Sequence, residues 1–252
     1  CSSDLNTKGT MSGHSKWSSI KRKKAVIDAK RGKIFTKLIR EITIAARDGG
    51  GDEESNPRLR QAIINAKAAN MPQDNMQRAI KKGTGELEGV QYEESTLEGY
   101  GPEGVAIFMD ILSDNRKRTV AEVRHLMAKY GGNLGENGSV SWMFEKKGQI
   151  VLDQGSHNED DIFESVIDSG AEDFETDDGS CVVTTHPSEL MTVRDALDKL
   201  GFSVQSVVLE MIPKNTQTVD AEKSVQVITL LEQLEDHDDI RSVFTNFNSV
   251  EG

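Results

Sequence analysis

The spacing of apolar residues changes at residue 83, and that change separates two kinds of structure. Up to Lys82 they recur every three or four positions, as one face of a helix requires. Beyond GTGELEG, residues 83–89, they fall into strand-length runs broken by helical stretches. An all-helical head joined to an α+β body is therefore expected. In the head, a main helix fits residues 22–47 and ends at Gly49-Gly50-Gly51, because glycine tolerates the left-handed turn that closes a helix. A second fits 57–70, with Asn56 as N-cap and Pro57 in the first turn, and Met71-Pro72 breaks it. A third, short helix fits 73–82 and stops at Gly83.

The body starts with strands at 92–99 and 104–112, a helix at 117–130 and an alternating strand at 139–145. A self-contained run follows: strand 149–152, helix 159–168, strands 171–176 and 180–185, helix 188–200 and strand 202–208. That β-α-β-β-α-β order is the split βαβ arrangement of ferredoxin-like folds. A strand at 207–212, a helix at 220–234 and a last strand at 241–247 complete an outer sheet. The expectation is an α+β multidomain chain: a three-helix N-terminal domain followed by two ferredoxin-like α+β domains, one inserted into the other. The boundaries read 1–10 as an extension before Met11, 11–85 as the helical domain, 86–147 plus 209–252 as one α+β domain, and 148–208 as the inserted one. Alternatively, 202–213 form one long shared strand.

Charge follows the same division. The whole chain carries −12, yet residues 11–82 hold 17 Lys and Arg against 7 Asp and Glu, a net of +10. Residues 83–252 hold 12 against 34, a net of −22. A basic head on an acidic body suggests a polyanion-facing module joined to something with another task. Advancing about 100° per residue from Ile34 puts Ile27, Phe35, Leu38, Ile39, Ile42, Ala45 and Ala46 on one side of the main helix. Lys23, Lys30, Lys33, Lys37, Arg40 and Arg47 form a cationic stripe on the other. Few acids lie on that stripe, so ion pairing along the helix does not account for it. Upstream, GHSKWSSIKRKK sets Trp17 among Lys16, Lys21, Arg22, Lys23 and Lys24. Its low apolar content predicts an arm that is disordered when free, and interleaved cations and aromatics suit phosphates and unstacked bases. The alternatives are solvated surface lysines on the helix and Trp17 docked on the head. A second basic corner, Asn115, Arg116, Lys117 and Arg118 with Arg124, sits between a strand and a helix start. It suits a phosphate or, equally, a helix cap with solvated cations.

Catalytic and metal signatures are weak. Five scattered histidines show no ligand spacing, and two cysteines, Cys1 and Cys181, exclude a disulfide framework; Cys181 reads as core. No nucleophile elbow, Walker loop or dinucleotide fingerprint occurs. The Gly-rich 131–139 joins a helix to a strand and reads as a shaped turn, and the acidic run 235–239 as a solvated turn. With 5% aromatics and no apolar run near the ~20 residues of a membrane helix, the expectation is small aliphatic cores, no membrane span, no cofactor, no metal, no enzymatic activity and a reducing cytoplasm.

Several segments together resemble the YebC/PmpR family: MSGHSKWSSIKRKK, AKRGKIFTKLIREI, GYGPEGVAI, DNRKRT, EVRHLMAKYGGNLGENGSVSWMF and IPKN. The mitochondrial translational activator of cytochrome oxidase is similar. The resemblance spans nearly all of 11–252 and implies a helical head, two α+β domains and regulation of gene expression. It makes Lys16, Trp17, Lys21, Lys23, Lys24, Lys30 and Arg31 candidates for contact with DNA or RNA, beside the stripe's Lys33, Lys37 and Arg40 and the arm's Arg22. Two partners follow as alternatives: duplex DNA for a transcriptional regulator, or ribosomal and messenger RNA for a ribosome-associated translation factor. An enzyme or protein-binding scaffold ranks below both, and no small-molecule substrate is expected.

Overall fold

The computed structural model describes Trp17 and residues 31–153, 155, 159–177 and 180–249. Two compact units emerge, one formed by Ile20–Ser141 with Gln217–Gly252 and the other by Trp142–Thr216, to which Trp17 also belongs.

The first unit opens with three helices, α1 (Arg31–Gly49), α2 (Pro57–Ala68) and α3 (Gln73–Gly83). Asn56 caps α2 as its side chain accepts the Leu59 N–H. Its amide group also donates to the carbonyls of Ala45 and Gly50, tying the α1–α2 turn to both helices. Ile42, Ala45 and Ala46 of α1, Leu59, Ala62, Ile63 and Ala66 of α2, and Met76, Ala79 and Ile80 of α3 make a small core with Met71. The C-terminus of α3 lies so close to α1 that a Cβ on Gly83 would overlap the Thr43 carbonyl and crowd Ala46. Gly83→Ala is therefore expected to cost about 1–3 kcal/mol through overpacking, read as a lowered urea midpoint at constant slope.

A four-stranded sheet with order β3-β1-β2-β9 follows, from β1 (Glu93–Tyr100), β2 (Ala106–Ser113), β3 (Asn133–Leu134) and β9 (Ile240–Thr245), antiparallel throughout. The β1–β2 hairpin occupies its centre, and β2 is buried along almost its whole length, as a mostly apolar run interrupted only by Asp110 before its last residue Ser113 requires. Helices α4 (Arg116–Lys129) and α7 (Ala221–Glu235, numbered after two helices of the second unit) belong to the same body. A three-residue parallel pairing of β8 (Gln217–Val219) with β10 (Phe247–Ser249) has no counterpart in the sequence reading.

The second unit runs β4 (Phe144–Asp153), α5 (Glu159–Asp168), β5 (Asp173–Asp177), β6 (Ser180–Thr185), α6 (Leu190–Lys199) and β7 (Ser203–Pro213). Sheet order β5-β6-β4-β7, with every neighbouring pair antiparallel, is the ferredoxin-like order expected of β-α-β-β-α-β. Cys181 is fully buried in its core beside Ile150, Leu152, Val183 and Leu197.

Two expectations on strands change. Residues 203–213 form one long strand, the alternative left open by the sequence, because β7 pairs with β4 from Ser203–Asp153 to Pro213–Phe144 with one register shift between Val151 and Leu152. Residues 139–143 are not strand: Ser141–Met143 form a 3-10 turn and β4 begins at Phe144. The cause is Glu98, buried at 4% exposure, whose carboxylate accepts the N–H groups of Gly138, Val140 and Ser141 and so takes donors that a ladder would need. The Gly-rich turn is thus shaped around a carboxylate.

Candidate nucleic-acid interface

The cationic stripe of α1 does not face solvent freely. Lys33 Nζ donates to the Asp236 carbonyl at 2.9 Å, and Lys37 Nζ to the Glu235 carbonyl at 2.6 Å. Arg40 Nη1 donates to the carbonyls of Asp238 (2.7 Å) and Leu112 (3.3 Å) and pairs with the Asp239 carboxylate at 2.6 Å. Apart from the Leu112 carbonyl of β2, the carbonyl acceptors are the last of α7 and the turn after it, where the helix dipole favours cations. The acidic run 235–239, read from sequence as a solvated turn, is the receiver of the stripe.

Asp239 is the centre of this junction at 3% exposure. One carboxylate oxygen meets Arg40; the other accepts from Thr119 (2.6 Å), Arg118 (2.8 Å) and Ser113 (3.2 Å). Burial pushes the carboxyl up, but Thr119, Arg118 and Arg40 outweigh it and hold it down at about 2. Glu122, His237 and Asp239 offer potential ligand atoms within 4.8 Å of one another. Arg40 and Arg118 already balance the Asp239 charge there, and the His237 Nδ1 accepts the Asp239 N–H.

A second network fastens head to sheet. Arg58 of α2 pairs with Glu41 of α1 at 2.8 Å and with Glu94 of β1 at 2.6 Å, and Arg241 of β9 joins Glu41, Glu94 and Asp110. These partners raise the pKa of both guanidinium groups against the pull of burial. Residues 42–46 of α1 are consequently buried on every side, Ile44 at 1% exposure among them. On the helical wheel Ile44 falls at about 280° from Ile34, in the middle of the cationic side. That apolar residue was the available signal that the stripe is an interface within the molecule.

The other candidates divide. Lys16, Lys21, Arg22, Lys23, Lys24 and Lys30 lie outside the described residues, as does the side chain of Arg31, although Arg31 begins α1. Trp17 is helical and buried at 3% exposure, with its indole N–H unpaired, so its ring is not presented for base stacking. At the second corner Asn115 caps α4 by accepting the Arg118 N–H, and Arg118 is held by Asp114 and Asp239. Only Arg116, Lys117 and Arg124 of that corner remain as exposed cations without an ion pair among the described residues. Sequence reasoning passed over five exposed cations of the head: Arg60, which donates to the carbonyls of Glu53 and Glu54, Lys67 at the end of α2, and Arg78, Lys81 and Lys82 on α3.

No helix among the described residues is long and apolar enough to cross a membrane. Residues 15–86 match the profile of the TACO1/YebC protein N-terminal domain, and residues 92–247 that of the TACO1/YebC second and third domain. A relative from Syntrophus aciditrophicus, named a probable transcriptional regulatory protein, is 55% identical over 239 residues, covering 94% of this chain and 96% of its own. A relative of the same description from Desulfotalea psychrophila is also 55% identical, with the same coverage. The crystal structure of a conserved hypothetical protein from Aquifex aeolicus superposes with a TM-score of 0.83 at 47% identity, covering 90% of this chain and 94% of that one. With matching domains along nearly its whole length and relatives this similar, the chain belongs to the TACO1/YebC family.

Proposed function

We propose that the protein is a non-enzymatic, cytoplasmic regulator of gene expression that binds nucleic acid through its basic N-terminal domain, with duplex DNA as the first partner to test. The segregation of charge carries this reading: +10 in residues 11–82 against −22 in the remainder. The names of the relatives support it, since both are probable transcriptional regulatory proteins. A second reading, binding to ribosomal or messenger RNA, is favoured by the setting of α1. This helix is walled in by α2 and α3 on one side and by the α7 turn and β2 on the other. A helix held on two sides does not enter a major groove about 12 Å wide, so base readout by α1 is disfavoured and backbone or shape contact is left.

Affinities for a random duplex, a duplex carrying a native promoter and purified ribosomes, compared across salt concentrations, separate the two readings. A duplex regulator prefers its own sequence by roughly 10³-fold or more at fixed salt. Equal binding to every duplex together with co-sedimentation with ribosomes would overturn the DNA reading in favour of the RNA one. Absence of salt-dependent binding to all three would overturn both.

A further inference from the structure

Lys33, Lys37 and Arg40 of the stripe that sequence singles out are engaged internally, so the question is which cations of the head are left among the described residues. Helix α3 answers it by its periodicity. At about 100° per residue from Met76, the buried Met76, Ala79 and Ile80 and the tightly packed Gly83 share one arc, while Arg78, Lys81 and Lys82 fall between about 140° and 240°, opposite the core. All three are exposed, and their side chains make no ion pair or hydrogen bond among the described residues. They stand at i, i+3 and i+4, the spacings that bring side chains together on a helix surface. Asp74 is the only acid on α3, one turn before Arg78, and no ion pair joins them. The nearby Glu86 carboxylate accepts from the Thr84 hydroxyl at 3.0 Å instead of meeting a lysine. Beneath this face the contact of Gly83 with Thr43 and Ala46 locks α3 to α1, so the three cations project from a rigid base and little backbone ordering is needed to bind.

We infer that the outward face of α3, formed by Arg78, Lys81 and Lys82, is the head's contact with the phosphate backbone of a nucleic acid. The inference rests on the nucleic-acid reading above and places that contact on α3 rather than on the α1 stripe. It requires no base readout: point charges and a guanidinium fork position a backbone without specifying sequence. Arg78 offers the fork and the two lysines the point charges.

The test is the salt dependence of affinity of the full chain for a random duplex DNA and for a single-stranded RNA, the pair of probes distinguishing the two sources of the backbone. Each lost phosphate contact removes about 0.9 from the log–log slope on duplex DNA and about 0.7 on a single strand. The triple variant Arg78→Gln, Lys81→Gln, Lys82→Gln is expected to flatten the slope by up to about 3 on the preferred probe, with an unchanged melting temperature because the side chains are solvent-facing. Arg78→Lys with both lysines intact retains most of the slope. As a comparison, Lys33→Gln with Lys37→Gln leaves the slope nearly unchanged, since both lysines already serve α7. If the wild type binds with a steep slope and the α3 variant keeps it, the α3 assignment is overturned while nucleic-acid binding stands. If the α1 pair carries the slope instead, the assignment is likewise overturned. If the wild type binds neither probe in a salt-dependent way, the functional reading fails and the α3 assignment falls with it.

Discussion

Replacing Asp239 by alanine is expected to lower stability by about 3 kcal/mol or more, because removing one member of a buried ion pair leaves the other charges uncompensated. Arg40, with 13% of its side chain exposed, loses its carboxylate while its Nε already lacks a partner. Thr119 and Arg118 lose their acceptor in the same step. For a chain of this size that loss corresponds to a fall in melting temperature of roughly 10 °C, measurable by calorimetry. Adding Arg40→Met to the alanine variant should recover part of the loss, since the stranded guanidinium is then gone; a strictly additive cycle would show that the two side chains are not coupled. The same carboxylate sets an acid limb. Its folded pKa, about 2, lies below the ordinary 3.8, so its contribution is fully present above about pH 4 and is lost as pH falls through about 2. The size of that limb is about 2 kcal/mol, and it should vanish in Asp239→Ala, leaving a flatter stability profile between pH 4 and 2.

Glu98→Ala is expected to have the second largest effect. Three backbone donors, those of Gly138, Val140 and Ser141, converge on this one side chain at 2.8 Å each. Burial raises its pKa, but those N–H groups more than offset the rise and keep the carboxyl ionised below the usual range. Each buried donor left without an acceptor costs about 1–3 kcal/mol, and water reaching the turn relieves part of that, so the net loss is about 3 kcal/mol. The discriminating measurement is amide hydrogen exchange: protection of Gly138, Val140 and Ser141 should collapse while that of β2 changes little. Glu98→Gln turns an NH₂ toward backbone donors and should rescue only partly. Unchanged protection at the three amides in Glu98→Ala would mean that the turn is held by its backbone bonds alone, such as Ser139 N–H to the Glu136 carbonyl.

Much of the architecture was legible because local chemistry and global packing agree. Asn56-Pro57, Pro72 and Gly83 punctuate the head where α2 and α3 begin and end, and Asn115 starts α4 by the cap its side chain permits. The β-α-β-β-α-β order of the second unit followed from alternation and turn residues alone. Long-range polar pairing was not legible. Nothing within residues 139–143 reveals that Glu98, some forty positions earlier, claims their amides. The three-residue β8 and β10 are too short to show a period. The candidate site suffered most. A one-helix wheel sorts residues into apolar and charged sides, and it assigns the charged side to solvent by default. Lys33, Lys37 and Arg40 are an exception because most of their partners are backbone carbonyls at and beyond the end of a helix two hundred residues away, which carry no side-chain signature, and the carboxylates that join them, Asp236 and Asp239, are equally remote in sequence. The acids of 235–239 hinted at it only in composition.

The occupation of the α1 lysines and arginine has a consequence for dissecting the molecule. A fragment cut in the 83–89 segment would free the row that α7 and Asp239 keep busy and bare Ile44 beside it. Such a piece would cling to polyanions and to itself more avidly than its parent does. Its behaviour would describe the wound left by the cut, and only the uncut chain reports how the head meets its target.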